Sequence, residues 1–154
     1  MKRMMTVLLV ILVTASLVSC TGETSPGPLD AAEVGHITAT TAIYANYMYV
    51  IEDDEAIGEL VELYNALRYV PTDEVGFADL LNGTLYRISY EPVTPDDSEH
   101  PTLACVWLSP QGYVYFTDYE HEDDPDAEMS VYRLTSAFDE ERLNDILNTY
   151  DIMK

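Results

Sequence analysis

Two groups of side chains in this sequence have the types and spacing to bind something. The first is Arg87, Tyr113, Tyr115, Tyr119 and Arg133. In the segment 84–91, Tyr86, Ile88 and Tyr90 alternate with Arg87, Ser89 and Glu91, and in 113–119, Val114 and Phe116 alternate with the three tyrosines. A period of two puts each set on one side of a strand. If Ile88, Val114 and Phe116 meet a core, the other set faces outward and gathers three tyrosines with two arginines. Tyrosine offers flat apolar area with a polar tip, and arginine a fork that fits carboxylates, so the set makes a platform for a peptide or a sugar. The same residues also suit plain cross-strand packing, with each arginine paired to an acid such as Glu91 or Glu128.

The second group is Glu120, Glu122, Asp123, Asp124, Asp126 and Glu128, with His121 among them. Carboxylate oxygens at this density could hold calcium, which makes an extracytoplasmic divalent-cation binder the alternative function. Against it, the EF-hand order of alternating acids, a glycine and a distal glutamate is absent, and an open loop loses chain entropy when it wraps an ion. A solvated acidic hairpin loop is the competing reading. Asp96, Asp97, Glu99 and His100 repeat the pattern more weakly.

Catalytic constellations do not emerge. The sequence has no H-E-x-x-H, no G-x-S-x-G, no glycine-rich phosphate loop and no Cys-x-x-Cys, and His36, His100 and His121 are scattered. Paired carboxylates say nothing about general acid and base work in a chain with 28 acidic residues. The expectation is a binding protein rather than an enzyme, with no resident cofactor.

Charge narrows the partners. Seven basic residues stand against 28 acidic ones, a net charge of −21. Such a surface repels phosphate backbones, so nucleic acid is excluded as a partner, and the domain is expected to stand off anionic lipid. Basic proteins and cations are compatible, although an acidic surface also serves solubility alone.

The first twenty residues carry an address. Lys2 and Arg3 precede an apolar run over 4–13, and small or hydroxyl residues lead into Leu17, Val18, Ser19 and Cys20. This is the layout of an export signal. Its ending resembles the lipobox of bacterial lipoproteins. The resemblance implies a diacylglycerol on the Cys20 thiol, removal of residues 1–19, and a mature chain that begins at Cys20 on the extracytoplasmic face of the cell membrane. Two acyl chains would make the attachment durable where one would be reversible. A transmembrane helix is the alternative, but a span needs about 20 apolar residues and Thr6, Thr14, Ser16 and Ser19 interrupt this one. With Lys2 and Arg3 removed, five basic residues face the 28 acidic ones and the net charge is −23.

The remaining cysteine, Cys105, lies in the apolar run 103–108 and reads as a small buried hydrophobe, so no disulfide framework is expected. Residues 20–35 form the lipidated cysteine and a flexible tether: glycine, proline and serine are frequent and no core is evident. As a coil of about 15 residues the tether would span roughly 20 Å.

A single domain over 36–154 should then position the candidate groups. Residues 37–51 are β-branched and aromatic and read as one long or two short strands, with a break near Ala45 and Asn46. Asp53 caps a helix with Ile57, Leu60, Val61, Tyr64 and Leu67 on one face, which Pro71 stops. Residues 77–81 are a turn of helix or a short strand, and Asn82-Gly83 is a turn. Four segments, 84–91, 102–109, 113–119 and 129–135, read as an antiparallel meander. Asp139 caps a second helix carrying Leu143, Ile146, Leu147 and Tyr150, with Phe138 placed as a staple. The pattern implies an α+β fold with two layers, a mostly antiparallel sheet with two helices packed on one face. Lipobox, polar tether and a strand-helix-meander-helix domain together resemble small lipoproteins of Gram-positive bacteria, a likeness of order and pattern that brings no functional residue with it.

Overall fold

The computed structural model describes residues 22–41, 48–80, 82–94, 102–117, 130–149 and 152–153. Cys20, Tyr119, Tyr150 and the acidic residues of 95–100 and 120–128 lie outside them.

The long apolar segment resolves into two strands, β1 (Val34–Thr40) and β2 (Met48–Ile51), paired antiparallel with Ile37 opposite Ile51. Helix α1 (Asp54–Asn65) follows. Its start is set by Asp53, whose carboxylate accepts from the backbone N–H groups of Glu55 at 3.1 Å and Ala56 at 3.0 Å. These donors would otherwise have no partner in the first turn. The chain continues through β3 (Tyr69–Pro71), a single turn α2 (Phe77–Leu80), and the strands β4 (Tyr86–Pro92), β5 (Ala104–Ser109), β6 (Tyr113–Phe116) and β7 (Val131–Leu134). It closes with α3 (Glu140–Asn148), capped by Asp139, and a two-residue strand β8 (Ile152–Met153).

Among the described residues the strands form one antiparallel sheet in the order β3-β7-β6-β5-β4-β1-β2-β8. The meander β4 to β7 runs outward from β1, and the connection through α1 carries the chain from β2 near one edge to β3 at the other. That crossing lays α1 over one face of the sheet. Ile57, Leu60, Val61 and Tyr64, spaced three and one apart, are buried there with Ile37, Ile51, Ile88, Tyr90, Val106 and Val114. Helix α3 adds Leu143, Ile146 and Leu147 to the same core. Each such aliphatic side chain contributes roughly 1.5–3 kcal/mol by leaving water, so this face is the main source of stability. The Tyr90 hydroxyl donates to the Leu60 carbonyl oxygen at 3.0 Å and ties sheet to helix. The fold is therefore α+β, with both long helices on one side of an antiparallel sheet.

Three features depart from the pattern. Helix α1 stops at Asn65, well before Pro71. Proline instead ends the edge strand β3, where a missing N–H costs no ladder bond. The turn α2 and its flanks do not lie idle: Val75, Leu80 and Leu85 form a second apolar cluster with Val131, Trp107, Tyr113 and Tyr115 on the face away from the long helices. And the residues expected as a loose tether are seated on the domain. Thr24 and Tyr69 exchange backbone hydrogen bonds of 2.8 and 2.9 Å, so Thr24 pairs with the free edge of β3. Asn65 grips Leu29 from both sides, its side-chain oxygen accepting from the Leu29 N–H and its amide donating to the Leu29 carbonyl, each at 2.9 Å. A 3-10 turn over Ala31–Glu33, capped by the Asp30 carboxylate, then leads into β1.

Candidate functional site

The face that the long helices leave uncovered carries the candidate residues. Strand register lines up Thr40, Arg87, Trp107, Tyr115 and Val131 in one row across β1, β4, β5, β6 and β7. A neighbouring row holds Ser109, Tyr113, Arg133 and Val70. A row exists because each pair sits directly opposite in an antiparallel ladder, with side chains on one face about 5 Å apart. Arg87, Tyr113, Tyr115 and Arg133 thus share a face, as the alternation predicts, and Tyr119 lies outside the described residues.

Within the first row the Arg87 guanidinium carbon stands 5.6 Å from the Trp107 ring centre. That is inside the range where the negative face of the indole attracts a cation. The Trp107 indole N–H donates to the Thr117 hydroxyl at 3.1 Å, which fixes the ring's orientation about its long axis. Tyr115 is the cross-strand partner of Trp107 on the far side from Arg87. A cation, an indole and a phenol are therefore set in sequence across three adjacent strands.

The face is not bare. Trp107, Tyr113 and Tyr115 are half-buried against Leu80, Leu85 and Val131, so the segment around α2 roofs the β6–β7 end of it. Arg133 reaches Glu74 of that segment at 3.9 Å, both side chains more than half exposed. An exposed pair of this length adds little stability. Glu74, rather than Glu91 or Glu128, is thus its partner here. The Glu91 carboxylate accepts from the Thr102 hydroxyl at 3.1 Å, and Glu128 lies outside the described residues.

Trp107 is the residue that pattern reading missed. Strand β5 reads Ala-Cys-Val-Trp-Leu-Ser, an unbroken apolar run in which Val106 and Leu108 face the helices while Cys105 and Trp107 face away. A strand covered on both sides loses the alternation that would assign its faces. Cys105 is a free, buried thiol that accepts from the Ser89 hydroxyl at 3.3 Å, which fits its reading as a small core residue.

A recess lined by Leu67, Tyr90, Phe138 and Leu143 has about 40 Å³ of interior space, room for a few waters and not for an organic ligand. Among the described residues no three His, Cys, Asp or Glu side chains converge as metal ligands. The six carboxylates proposed for calcium, Glu120 to Glu128, lie outside those residues. Among the described residues no helix is long and apolar enough to cross a membrane. In comparisons with known proteins, the chain matches no family model, no curated protein and no solved structure.

Proposed function

We propose that this chain is a binding module, held at the extracytoplasmic face of the cell membrane by lipid on Cys20, that takes a peptide or sugar on the helix-free face of its sheet. The anchor rests on the signal-like start and on Leu17, Val18, Ser19 and Cys20. The binding role rests on one observation: Arg87, Trp107 and Tyr115 stand side by side on that face, with the guanidinium over the indole. Aromatic faces stack on sugar rings and on planar peptide groups, and a guanidinium set over an indole presents a planar cation suited to carboxylates and other acceptors.

The chain contains a single tryptophan, so its emission reports on this row alone. Titration with soluble cell-wall glycan and peptide fragments should shift or quench Trp107 emission. Arg87→Ala should weaken that response about tenfold, the size of one good contact. No change at millimolar ligand would remove the reading. If calcium instead raised the melting temperature beyond what sodium chloride of equal ionic strength does, the acidic stretch 120–128 would be the better functional site.

A further inference from the structure

The seated segment fixes where an anchor could stand. Thr24 is held to Tyr69 by two backbone hydrogen bonds, and Asn65 holds Leu29 five residues later. Only four residue steps separate Cys20 from Thr24, and four extended residues reach at most about 14 Å. A sulfur carrying diacylglycerol lies at the head-group level, a zone several ångströms deep on each side of the hydrocarbon. The outer edge of the sheet, β3 with its neighbour β7, therefore comes to the lipid surface. A coil of the whole segment would have kept it clear.

Two arginines lie at that edge, where they can meet phosphate groups. Arg68 immediately precedes β3 and is exposed, its guanidinium donating to the backbone carbonyls of Asn65 and Leu67 at 2.9 and 2.7 Å. Arg133 lies opposite Val70 of β3 in the sheet register. The mature chain has only five basic residues, and two of them lie at this end of the sheet, one beside β3 and one on its neighbour β7. Arg142, by contrast, sits on α3 and is bound to Glu59 and Glu62. Acids are present on the edge as well: Glu74 pairs with Arg133, Glu23 accepts from the Thr135 hydroxyl, and Asp73 is exposed. The net charge of the whole chain opposes approach to anionic lipid, but that repulsion is screened over about 8 Å at physiological salt, whereas the covalent link is not.

We propose that the edge formed by β3 and β7, carrying Arg68 and Arg133, is the membrane-facing side of the anchored protein and meets lipid phosphate groups. The sheet then stands on this edge. Trp107, three strand spacings in, lies roughly 14 Å along the sheet from the edge, and its face opens sideways to ligand. This inference rests on the lipid-anchor reading.

The full lipidated chain, inserted in vesicles of equal parts phosphatidylglycerol and phosphatidylcholine, provides the test. A fluorophore is placed at Asp73→Cys beside the proposed edge or at Met48→Cys near the opposite edge; Cys105 is buried and Cys20 is blocked by its lipid. A quencher carried on the lipid head groups should reduce the Asp73→Cys signal several-fold more than the Met48→Cys signal. Adding Thr24→Pro and Asn65→Ala, which release the seated segment, should shrink that difference, and Arg68→Glu should reduce it. Equal quenching at both positions, with the diacylglycerol confirmed on Cys20 by mass spectrometry, overturns the orientation and leaves the anchor standing. An unmodified Cys20 removes the anchor, and the orientation with it.

Discussion

At the scale of single residues, the sharpest constraint is where β1 meets β4. The register between them shifts at Val34 and His36, and Gly35 occupies the gap. A Cβ at Gly35 would lie 2.7 Å from the Val93 Cα and 2.9 Å from the Pro92 carbonyl oxygen. Both are backbone atoms of the paired strand and cannot swing aside, so Gly35→Ala should destabilise by about 1–3 kcal/mol in chemical denaturation. Gly27→Ala, where nothing lies within 4 Å, should stay within about 0.5 kcal/mol and serves as the control. Two buried tyrosines make a second prediction. Burial, helped by the neighbouring Tyr69, pushes the Tyr64 phenol up to about 12, and burial pushes Tyr90 up as well. In the unfolded chain both titrate near 10. Their neutral forms therefore favour the fold fully below pH 10, and Tyr64's contribution is lost between pH 10 and about 12, because there the unfolded state binds fewer protons. Melting temperature should fall steeply above pH 10, and absorbance at 295 nm should show that part of the signal of the chain's twelve tyrosines appears late and together with unfolding. Ionisation of all twelve near pH 10 in the folded protein would contradict the burial of these rings.

At the scale of elements, the parts that could be read in advance are those whose signal is local. Asp53 and Asp139 are capping residues directly before amphipathic runs, and in both cases the carboxylate accepts backbone N–H groups of the first turn. Alternation along β4 and β6 assigned Arg87, Tyr113 and Tyr115 to one face correctly, because those strands have one dry side and one mixed side. What could not be read depends on contacts far apart in the chain. Leu29 stands between Pro28 and Asp30 with no apolar period around it, and only Asn65, 36 positions away, turns it into an anchor point. The roof made by Val75, Leu80 and Leu85 has no period of its own, and it shares its cluster with the Trp107 that β5 concealed. The seating of the early segment is open to measurement. Asn65→Ala removes two hydrogen bonds to the Leu29 backbone and should cost about 1–3 kcal/mol, with faster protease cleavage over 22–33. Starting a soluble form at residue 36 also discards buried Val34 and the Thr24 bridge, and should lower the melting temperature relative to a form starting at Gly22. Equal melting of the two forms, with equal cleavage of wild type and Asn65→Ala, would show that the segment does not hold to the domain.

At the scale of the whole molecule, the balance of charge decides how the fold responds to salt. Two effects of opposite sign compete. Added salt weakens the attraction of Arg142 for Glu59 and Glu62 and of Arg133 for Glu74, but these pairs are substantially exposed and each is worth at most about 1 kcal/mol. Salt also screens the repulsion among 28 acidic side chains, which have only seven basic residues to offset them. Repulsion acts between every pair of acids within a screening length, and that length falls from about 30 Å at 0.01 M to about 10 Å at 0.1 M. Raising sodium chloride across that range therefore relieves many pairwise terms and weakens few, so the melting temperature should rise and then level off as the screening length drops below the spacing between neighbouring carboxylates. A fall in melting temperature over the same range would mean that the few ion pairs outweigh the collective repulsion. In that case Arg142→Gln should shrink or reverse that fall, because it breaks the link from α3 to α1 through Glu59 and makes the net charge of the molecule one unit more negative.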